Sequence, residues 1–511
     1  MAATEKMTPM TLVIITVCSM LATLMQALDS TIANVALPYM QGTMSASQDE
    51  INWVLTSYIV SAAIMTAPVG FLTARFGRTR VFVTSVTGFT IASVFCGLAQ
   101  SLDQIVIFRI LQGIFGAALV PLSQTVLYDF FSPERRGSAM ALWGIGVQVG
   151  PVLGPILGGW LTQNYSWRWV FFVNVPFGII SAVGLALFLK ETSHSQKVRI
   201  DWIGFAALGV AVGSLQLMLD RGEEMDWFYS PEIITEACLA ALGFYLFLVQ
   251  SSLSPRPFLS PKLFTDLNFT VGITFIFIVG LTLYATLALQ APYLQTLMNY
   301  PVITAGEVLA PRGLGTMLTM LVVGQAIRTV GARPLIAFGF CLSAFSLYQM
   351  WGWTPDVSKS TIIIVGIAQG ISVGFVFVPL STIVFSTLPV TLRTEATGIY
   401  SLMRNLGSAI GISVTGALLE RNTEINHAEI AAPITPFNRV FQSGAAAHYW
   451  HPGSVGGASA LNQEVTRQAT IIGYNNDYLL MMILTLMALP LVLLVRANGQ
   501  PKEAGHSAVM D

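Results

Sequence analysis

Charge is what this chain has least of. Of its 511 residues, 25 are Lys or Arg and 26 are Asp or Glu, 10% together, against about 25% in an ordinary soluble domain. Histidine is scarcer still. The five (His194, His427, His448, His451 and His506) all fall outside the apolar segments. His448 and His451 sit three apart on a Gly-rich polar stretch with no cysteine nearby, so no metal site is expected there. The four cysteines (Cys18, Cys96, Cys238, Cys341) form no C-x-x-C pair and read as small buried hydrophobes. Gly144–Gly150, "GIGVQVG", has the outline of a dinucleotide loop but lacks a preceding strand and lies inside an apolar run. With no His cluster, no Cys/His pair and no phosphate loop, an embedded enzyme has no visible catalytic centre. A formal net charge of −1 gives no reason to expect nucleic acid as a partner.

What the chain has instead is apolar length. Hydrophobic residues make up 54% of it, and a bilayer core is crossed by about 20 of them in a helix. Candidate spans lie near 11–38, 52–73, 80–99, 104–127, 138–161, 168–189, 201–219, 232–250, 269–296, 304–326, 333–351, 360–387, 394–418 and 476–495, fourteen in all. The segment 201–219 is the most dilute, because Gly204, Gly209 and Gly213 interrupt it. The first run follows Lys6 like a signal peptide but is too long for one and is read as a retained span. The fold class is therefore an all-α membrane protein.

The basic residues orient it. With the N-terminus inside, sixteen of the 25 fall in inner loops, six outside (Arg168, Arg221, Lys359, Arg421, Arg439, Arg467) and three within spans (Arg109, Arg312, Arg404). That bias places both termini in the cytoplasm. Nine of the ten tryptophans (Trp53, Trp143, Trp160, Trp167, Trp169, Trp202, Trp227, Trp351 and Trp353) fall near span ends and are read as an interfacial belt. Residues 420–475 form a long, polar outer loop, with a short amphipathic helix expected near Leu461–Ile471. It is either a docking surface or a connector.

The fifth span contains "GPVLGPILGGW", Gly150–Trp160. Gly146, Gly150, Gly154 and Gly158 recur every four residues, with Gly159 beside them, and so line one helix face. In lipid, such a face lets another backbone approach closely. Pro151 and Pro155 are expected to bend the helix. The ridge is either a static packing face or one that moves as the protein changes shape.

These motifs carry a resemblance. "GPVLGPILGG" resembles the antiporter signature of drug exporters of the major facilitator superfamily. Gly70 with "FLTARFGRTR" is similar to that superfamily's loop motif between helices two and three. "LDSTIANVALP" (Leu28–Pro38), "RILQGIFGA" (Arg109–Ala117) and "SWRWVFFVNVPFG" (Ser166–Gly178) resemble the first-, fourth- and sixth-helix motifs of its fourteen-span drug:H⁺ antiporters. "LQLMLDRGEEMDWFYS" (Leu215–Ser230) and the long outer loop resemble the multidrug export protein B branch of Gram-negative tripartite systems. The resemblance implies two six-helix bundles (residues 1–195 and 256–511) with two extra helices in 196–255. A degenerate echo of the loop motif, Gly324–Arg333, fits a second, related bundle. It also implies a proton-driven exporter of hydrophobic drugs in a bacterial inner membrane, with no cofactor beyond the proton gradient. Its partners would be a periplasmic adaptor and an outer-membrane channel. A proton-coupled transporter of a metabolite, fatty acid or metal chelate is the alternative, ahead of a channel. One departure stands out: Ala74 occupies a usually acidic position of the loop motif, so Gly70, Arg75, Gly77 and Arg78 must gate with other partners.

Inside the spans, ionisable groups are few. Asp29 lies deep in the first, and Arg109 lies at a similar depth in the fourth. A charge at that depth must face protein or water, and a carboxyl short of water can exchange a proton near neutrality. Asp29 is read as the protonation site and Arg109 as its modulator, against the alternative of a fixed structural pair. Glu307 and Arg312 are secondary candidates in the tenth span and could pair weakly, or Glu307 could reach the outer surface. Arg404 is a packing or gating element, or reaches the inner interface. Met25, Gln26, Asn34, Gln112, Gln148, Phe275, Tyr284, Gln290, Tyr293, Gln369 and Phe377 are the expected cavity lining, by depth and side-chain type.

Overall fold

The computed structural model describes residues 9–190, 201–254, 257, 259–435, 450 and 454–495, and among these the regular structure is helical throughout. Fourteen segments correspond to the expected spans. Twelve are single runs and two are helix pairs bent at a break. In chain order they are α1 (Pro9–Met44), α2 (Gln48–Thr66 with Val69–Phe76), α3 (Arg78–Leu98), α4 (Leu102–Phe130), α5 (Arg136–Asn164), α6 (Trp169–Phe188), α7 (Trp202–Arg221) and α8 (Pro231–Leu253). The series continues with α9 (Leu267–Pro292), α10 (Val302–Val330), α11 (Ala332–Trp351), α12 (Lys359–Ile383), α13 (Val390–Ala431) and α14 (Val455–Ala488). The glycine-diluted α7 is intact. Pro68 marks the 56° bend in α2, and α5 bends by 42° between Gly154 and Ile156. The side chains of Pro151 and Pro155 lie outside the described residues.

Contacts divide the helices. α1 packs on α5 and α6, α2 on α4, and α3 on α4 and α6; α9 packs on α13, α10 and α11 on α12, and α14 on α11 and α13. The α7–α8 pair attaches through α7, mainly to α2 and more lightly to α13. The repeat predicted from the loop-motif echo is present in the backbone. Gly77, between α2 and α3, and Gly331, between α10 and α11, both turn the chain at positive φ, +92° and +85°. Only glycine adopts that conformation without strain.

The glycine ridge of α5 has a defined partner, α1. A Cβ on Gly150 would stand 2.3 Å from the Ala27 carbonyl carbon, and one on Gly154 2.0 Å from Thr31 Oγ1. Gly146 faces Met20 and Thr23, and Gly158 faces Ile32. Thr31 Oγ1 donates to the Gly150 carbonyl at 3.0 Å. The ridge thus lies within the first bundle, against the helix that carries Asp29. Gly159 sits at its edge, with nothing nearer than Val35 at 3.9 Å.

The bundles meet along α5 and α10, where Gly137 and Gly324 approach each other backbone to backbone. Deeper in this seam the Trp143 indole stacks on Phe377 at 5.5 Å and donates to Ser123 Oγ at 3.1 Å. This corrects the tryptophan reading. Trp143, Trp167 and Trp353 are buried core residues, whereas Trp160, Trp169, Trp202 and Trp351 remain exposed. Position near a span end cannot separate the two, because helix ends also pack.

At the face carrying the inner-loop arginines, hereafter the basic face, the bundles are clasped. Asp129 accepts from Arg78 Nη1 at 2.8 Å and from Arg393 Nη1 at 2.7 Å. It therefore joins α3 of one bundle to α13 of the other. The Thr125 and Thr397 hydroxyls meet at 2.8 Å, and Tyr128 donates to the Thr382 carbonyl at 3.1 Å. A Cβ on Gly70 would stand 2.7 Å from the Glu395 backbone, so α2 also presses on α13. Ala74, Arg75 and Arg80 are exposed. Position 74 is thus not where the clasp finds its acid: Asp129 supplies one, and Glu395, which accepts from the Ser260 amide, lies against Gly70.

Within the expected loop 420–475, residues 420–431 and 455–475 are helical. α13 runs unbroken to Ala431 and α14 begins at Val455, taking in the helix expected near Leu461–Ile471. At 1.5 Å per residue, the 42 residues of α13 span about 63 Å, roughly twice a bilayer core of about 30 Å. The pair is linked beyond the membrane by His427 Nε2 and Asn462 Oδ1 at 3.0 Å.

Two expected outcomes follow from this packing. Gly150→Ala forces α1 from α5 at a cost of about 1–3 kcal/mol and lowers the melting temperature of the detergent-solubilised protein, while Gly159→Ala leaves it unchanged; equal melting would contradict the ridge assignment. In a Thr125→Cys/Thr397→Cys protein, adding Asp129→Asn lowers disulfide cross-linking by up to roughly tenfold, the shift that about 1.4 kcal/mol produces. Undiminished cross-linking would show that Asp129 does not hold the bundles together.

Candidate functional site

The deepest charges in the first bundle lie together. Asp29 and Arg109 are each 0% exposed, and Arg109 Nη1 donates to Asp29 Oδ2 at 2.6 Å. Their expected proximity is thus realised as a direct ion pair. Two motifs build it. Gly113 of "RILQGIFGA" lets α2 press against α4: a Cβ there would lie 2.6 Å from the Tyr58 carbonyl oxygen. That approach brings the Val54 carbonyl to Arg109 Nε at 2.9 Å and the Tyr58 ring to 4.1 Å from the guanidinium carbon. The glycine ridge of α5 then holds α1, and with it Asp29, from the other side.

The second carboxylate oxygen is also satisfied. Asp29 Oδ1 accepts from Gln112 Nε2 at 2.8 Å and from Asn174 Nδ2 at 3.2 Å. Both amides donate onward to Ser93 Oγ, and Ser93 donates to the Phe171 carbonyl at 2.9 Å. Gln112 Oε1 in turn accepts from Arg109 Nη1 at 2.8 Å. Arg109 Nη2 and Asn174 Oδ1 have no partner among the described residues. The carboxylate thus takes one charged and two neutral hydrogen bonds. Losing one of these charges would leave the other buried and uncompensated.

Gln112, read from sequence as cavity lining, belongs to this network instead. Asn174 and Ser93 were missed. Asn174 was visible as a lone amide in the apolar opening of α6, within a motif already singled out.

The remaining lining candidates scatter. Met25 is buried in the first bundle's core, Asn34 is exposed, and Gln26 and Gln148 are half-buried. Phe377 lies in the seam against Trp143. Phe275 packs on Phe340 at 5.3 Å, and Phe340 and Gln369 line a cavity of about 20 Å³ together with Ser343 and Ser372. That volume suits a water rather than a drug. Tyr284 is half-buried and packs against the seam's large apolar cluster. Gln290 accepts from Arg312 Nη1 at 2.9 Å, and Tyr293 is buried among aromatic rings.

The Glu307–Arg312 pairing is not formed. Glu307 is exposed, while Arg312 is buried and turns to Gln290. An offset of five residues puts the two side chains on different helix faces. Arg404 is buried with Nε and Nη1 unpartnered among the described residues, so it does not reach the interface.

On the face opposite the basic one, "LDRGEEMDWFYS" forms the turn between α7 and α8. It is tight, with Asp226 and Trp227 at positive φ. Asn52 Nδ2 donates to Glu224 Oε1 at 2.6 Å, Thr56 donates to Asp220, Arg221 pairs with Glu232 and lies over Trp53, and Ser413 donates to the Leu219 carbonyl. The turn therefore ties α2 to α13 around a cavity of about 170 Å³ lined by Asp220, Arg221 and Glu224. Burial, with Glu420 and Glu224 nearby, pushes the Glu223 carboxyl above its ordinary value.

Comparison with known proteins agrees with this architecture. Residues 19–412 match the Major Facilitator Superfamily. The chain is 36% identical over 492 residues to the fatty acid resistance protein FarB of Neisseria gonorrhoeae, covering 95% of this chain and 96% of that one. It is 34% identical over 474 residues to the multidrug export protein EmrB of Escherichia coli (strain K12), covering 91% and 92%. Among solved structures, the human organic anion transporter MFSD10 superposes with a TM-score of 0.59 at 15% identity, covering 94% of this chain and 100% of that one. The proton:xylose symporter XylE does so at 0.59 and 14%, covering 92% and 94%; at these identities the likeness shows the fold alone. Two packed bundles, a sealed ion pair and a family match across most of the chain lead to one assignment: the protein belongs to the Major Facilitator Superfamily, as a multi-pass membrane transporter.

Proposed function

We propose that this protein is a proton-driven exporter of hydrophobic compounds, working by alternating access in a bacterial inner membrane with both termini cytoplasmic. The observation that carries the reading is the Asp29–Arg109 pair, fully removed from solvent in a bundle that must rearrange to transport. With the basic face clasped, the carboxylate is held ionised by its three donors. When the bundles rock, one side of the pair reaches water, a proton on Asp29 cancels its charge, and Arg109 falls back on Gln112 and the Val54 carbonyl. The membrane potential supplies about 2.3 kcal/mol per charge per 100 mV to drive the return.

The basic face is the cytoplasmic one, because loop arginines and lysines concentrate there. The names of FarB and EmrB support hydrophobic toxicants, fatty acids among them, as substrates. Buried Arg404 would favour anionic ones. Beyond the opposite face, the long α13–α14 pair offers a helical stalk for a periplasmic adaptor, itself joined to an outer-membrane channel. No bound cofactor takes part; the proton gradient is the energy source.

In proteoliposomes with an imposed pH gradient, Asp29→Asn is expected to lower gradient-driven export at least roughly tenfold, the loss of an essential proton carrier. Gradient-independent substrate exchange should survive, showing a folded protein. Wild-type export by this variant at equal protein would defeat the assignment. Removing residues 425–470, the outer turns of both helices with the segment between them, should abolish co-purification with a periplasmic adaptor and leave export into liposomes intact. Retained co-purification would place the docking surface elsewhere.

A further inference from the structure

The second bundle holds a carboxyl that the proton cycle above does not use. Asp477 of α14 is 1% exposed, and neither carboxylate oxygen has a hydrogen-bond partner among the described residues. Its surroundings are aromatic and apolar. Tyr474 and Tyr478 flank it on α14. Tyr293 packs edge-on to Tyr474 at 5.3 Å and tilted to Trp353 at 5.6 Å, and Trp353 in turn lies 6.0 Å from Tyr478. Tyr293 opens a π-helical turn, Tyr293–Leu297, that ends α9, a local irregularity often found at functional sites. An ionised carboxylate cannot remain unpaired in such a place at tolerable cost.

A second buried ionisable group is linked to this cluster through Tyr478. Arg312 of α10 is also buried, donates to the neutral Gln290, and leaves Nη2 without a partner among the described residues. Tyr478 lies within electrostatic range of both Arg312 and Asp477, and its own hydroxyl is unpartnered among the described residues. Of the other charges, Arg467 on α14 itself donates to the Leu297 carbonyl and pairs with Glu464, within electrostatic range of Tyr293. α11 contributes Leu347 and Met350 to the same cluster, α13 faces Gly473 with Leu419, and the adjacent Glu420 is exposed, on the side of Glu223. The set parallels the first bundle, where an arginine also donates to a glutamine. There the carboxylate is paired; here it stands apart.

We propose that Asp477 is a second proton-binding carboxyl, neutral in the conformation seen here and pairing with Arg312 when it loses its proton. In that step the O–H bond of the carboxyl breaks, the proton passes to water at the open face, and the electron pair stays on the carboxylate, whose charge the unpartnered Nη2 of Arg312 then meets. The two bundles would thus hold their carboxyls in opposite protonation states. The inference rests on the exporter reading for its energetic role but not for the existence of the site.

The test combines a readout that needs no transport with one that does. Difference infrared spectra of the purified protein, titrated with pH and with tetraphenylphosphonium or oleate, should contain a protonated-carboxyl band that disappears as pH rises. The band should be missing in Asp477→Asn and displaced in Asp477→Glu. In proteoliposomes, the proton-to-substrate ratio from reversal potentials should fall by about one in Asp477→Asn and be restored in Asp477→Glu. A band that no pH or substrate removes, or one unchanged by Asp477→Asn, would overturn the proposal, as would an unaltered ratio. Loss confined to tetraphenylphosphonium with the ratio intact would make Asp477 a cation-binding group instead, and would equally overturn it. If Asp477→Asn does not fold, Arg312→Gln must shift the same band; an unshifted band counts against the pairing. Should the wild type show no gradient-driven transport while the band still titrates, the exporter reading fails and the proton site stands.

Discussion

A charge inside a membrane protein has to find a partner or lose itself, and much of this structure answers that requirement at Asp29. The carboxylate takes one charged and two neutral hydrogen bonds, and its arginine takes a backbone carbonyl, an amide oxygen and an aromatic face. None of those partners could reach it without close backbone contacts on both sides. Gly113 admits α2, and Gly150 and Gly154 admit α1. The glycine-rich motif that looks like a helix breaker is therefore the means by which an ion pair is assembled in lipid. Pairing of this kind is costly to disturb. The same property makes its protonation state a lever on the whole bundle.

The clasp at the basic face works by related physics at shallower depth. Asp129 receives one arginine from each bundle, and the Thr125–Thr397 contact seals the seam beneath it. Further along the seam, Trp143 on Phe377 is apolar and stacked, a contact with little directional demand. Across the molecule, the turn between α7 and α8 holds α2 and α13 with several polar contacts. A transporter needs its bundles joined firmly enough to exclude a leak and loosely enough to exchange one closed face for the other. Short polar clasps at the two ends of an apolar seam satisfy both demands.

Much of this was legible in the sequence. Apolar length, checked against the placement of basic residues, gave fourteen helices, including the dilute α7, and depth together with the family resemblance brought Asp29 to Arg109. What was not legible depended on helix rotation or on leaving the bilayer. The four-residue glycine spacing defines a face but not its partner, so α1 could not be named. Gln112 has the composition of a cavity residue and the position of an ion-pair ligand; only rotation about α4 separates them. Asp129 follows an apolar run and precedes Glu134, Arg135 and Arg136, which is also how a solvated rim reads. The outer turns of α13 and α14 are polar because both faces of a helix outside lipid meet water, and a hydropathy reading takes that for a loop. Asp477, in "GYNND", was hidden by the same polar flank.

The account is most directly tested by counting protons on the purified protein as substrate binds, by calorimetry in buffers of different ionisation enthalpy. It predicts that binding of a hydrophobic substrate displaces about one proton in the wild type and that the yield falls when Asp29 is replaced by Asn in an otherwise folded, substrate-binding protein. A proton yield of zero in the wild type, or one that Asp29→Asn leaves untouched, would contradict it.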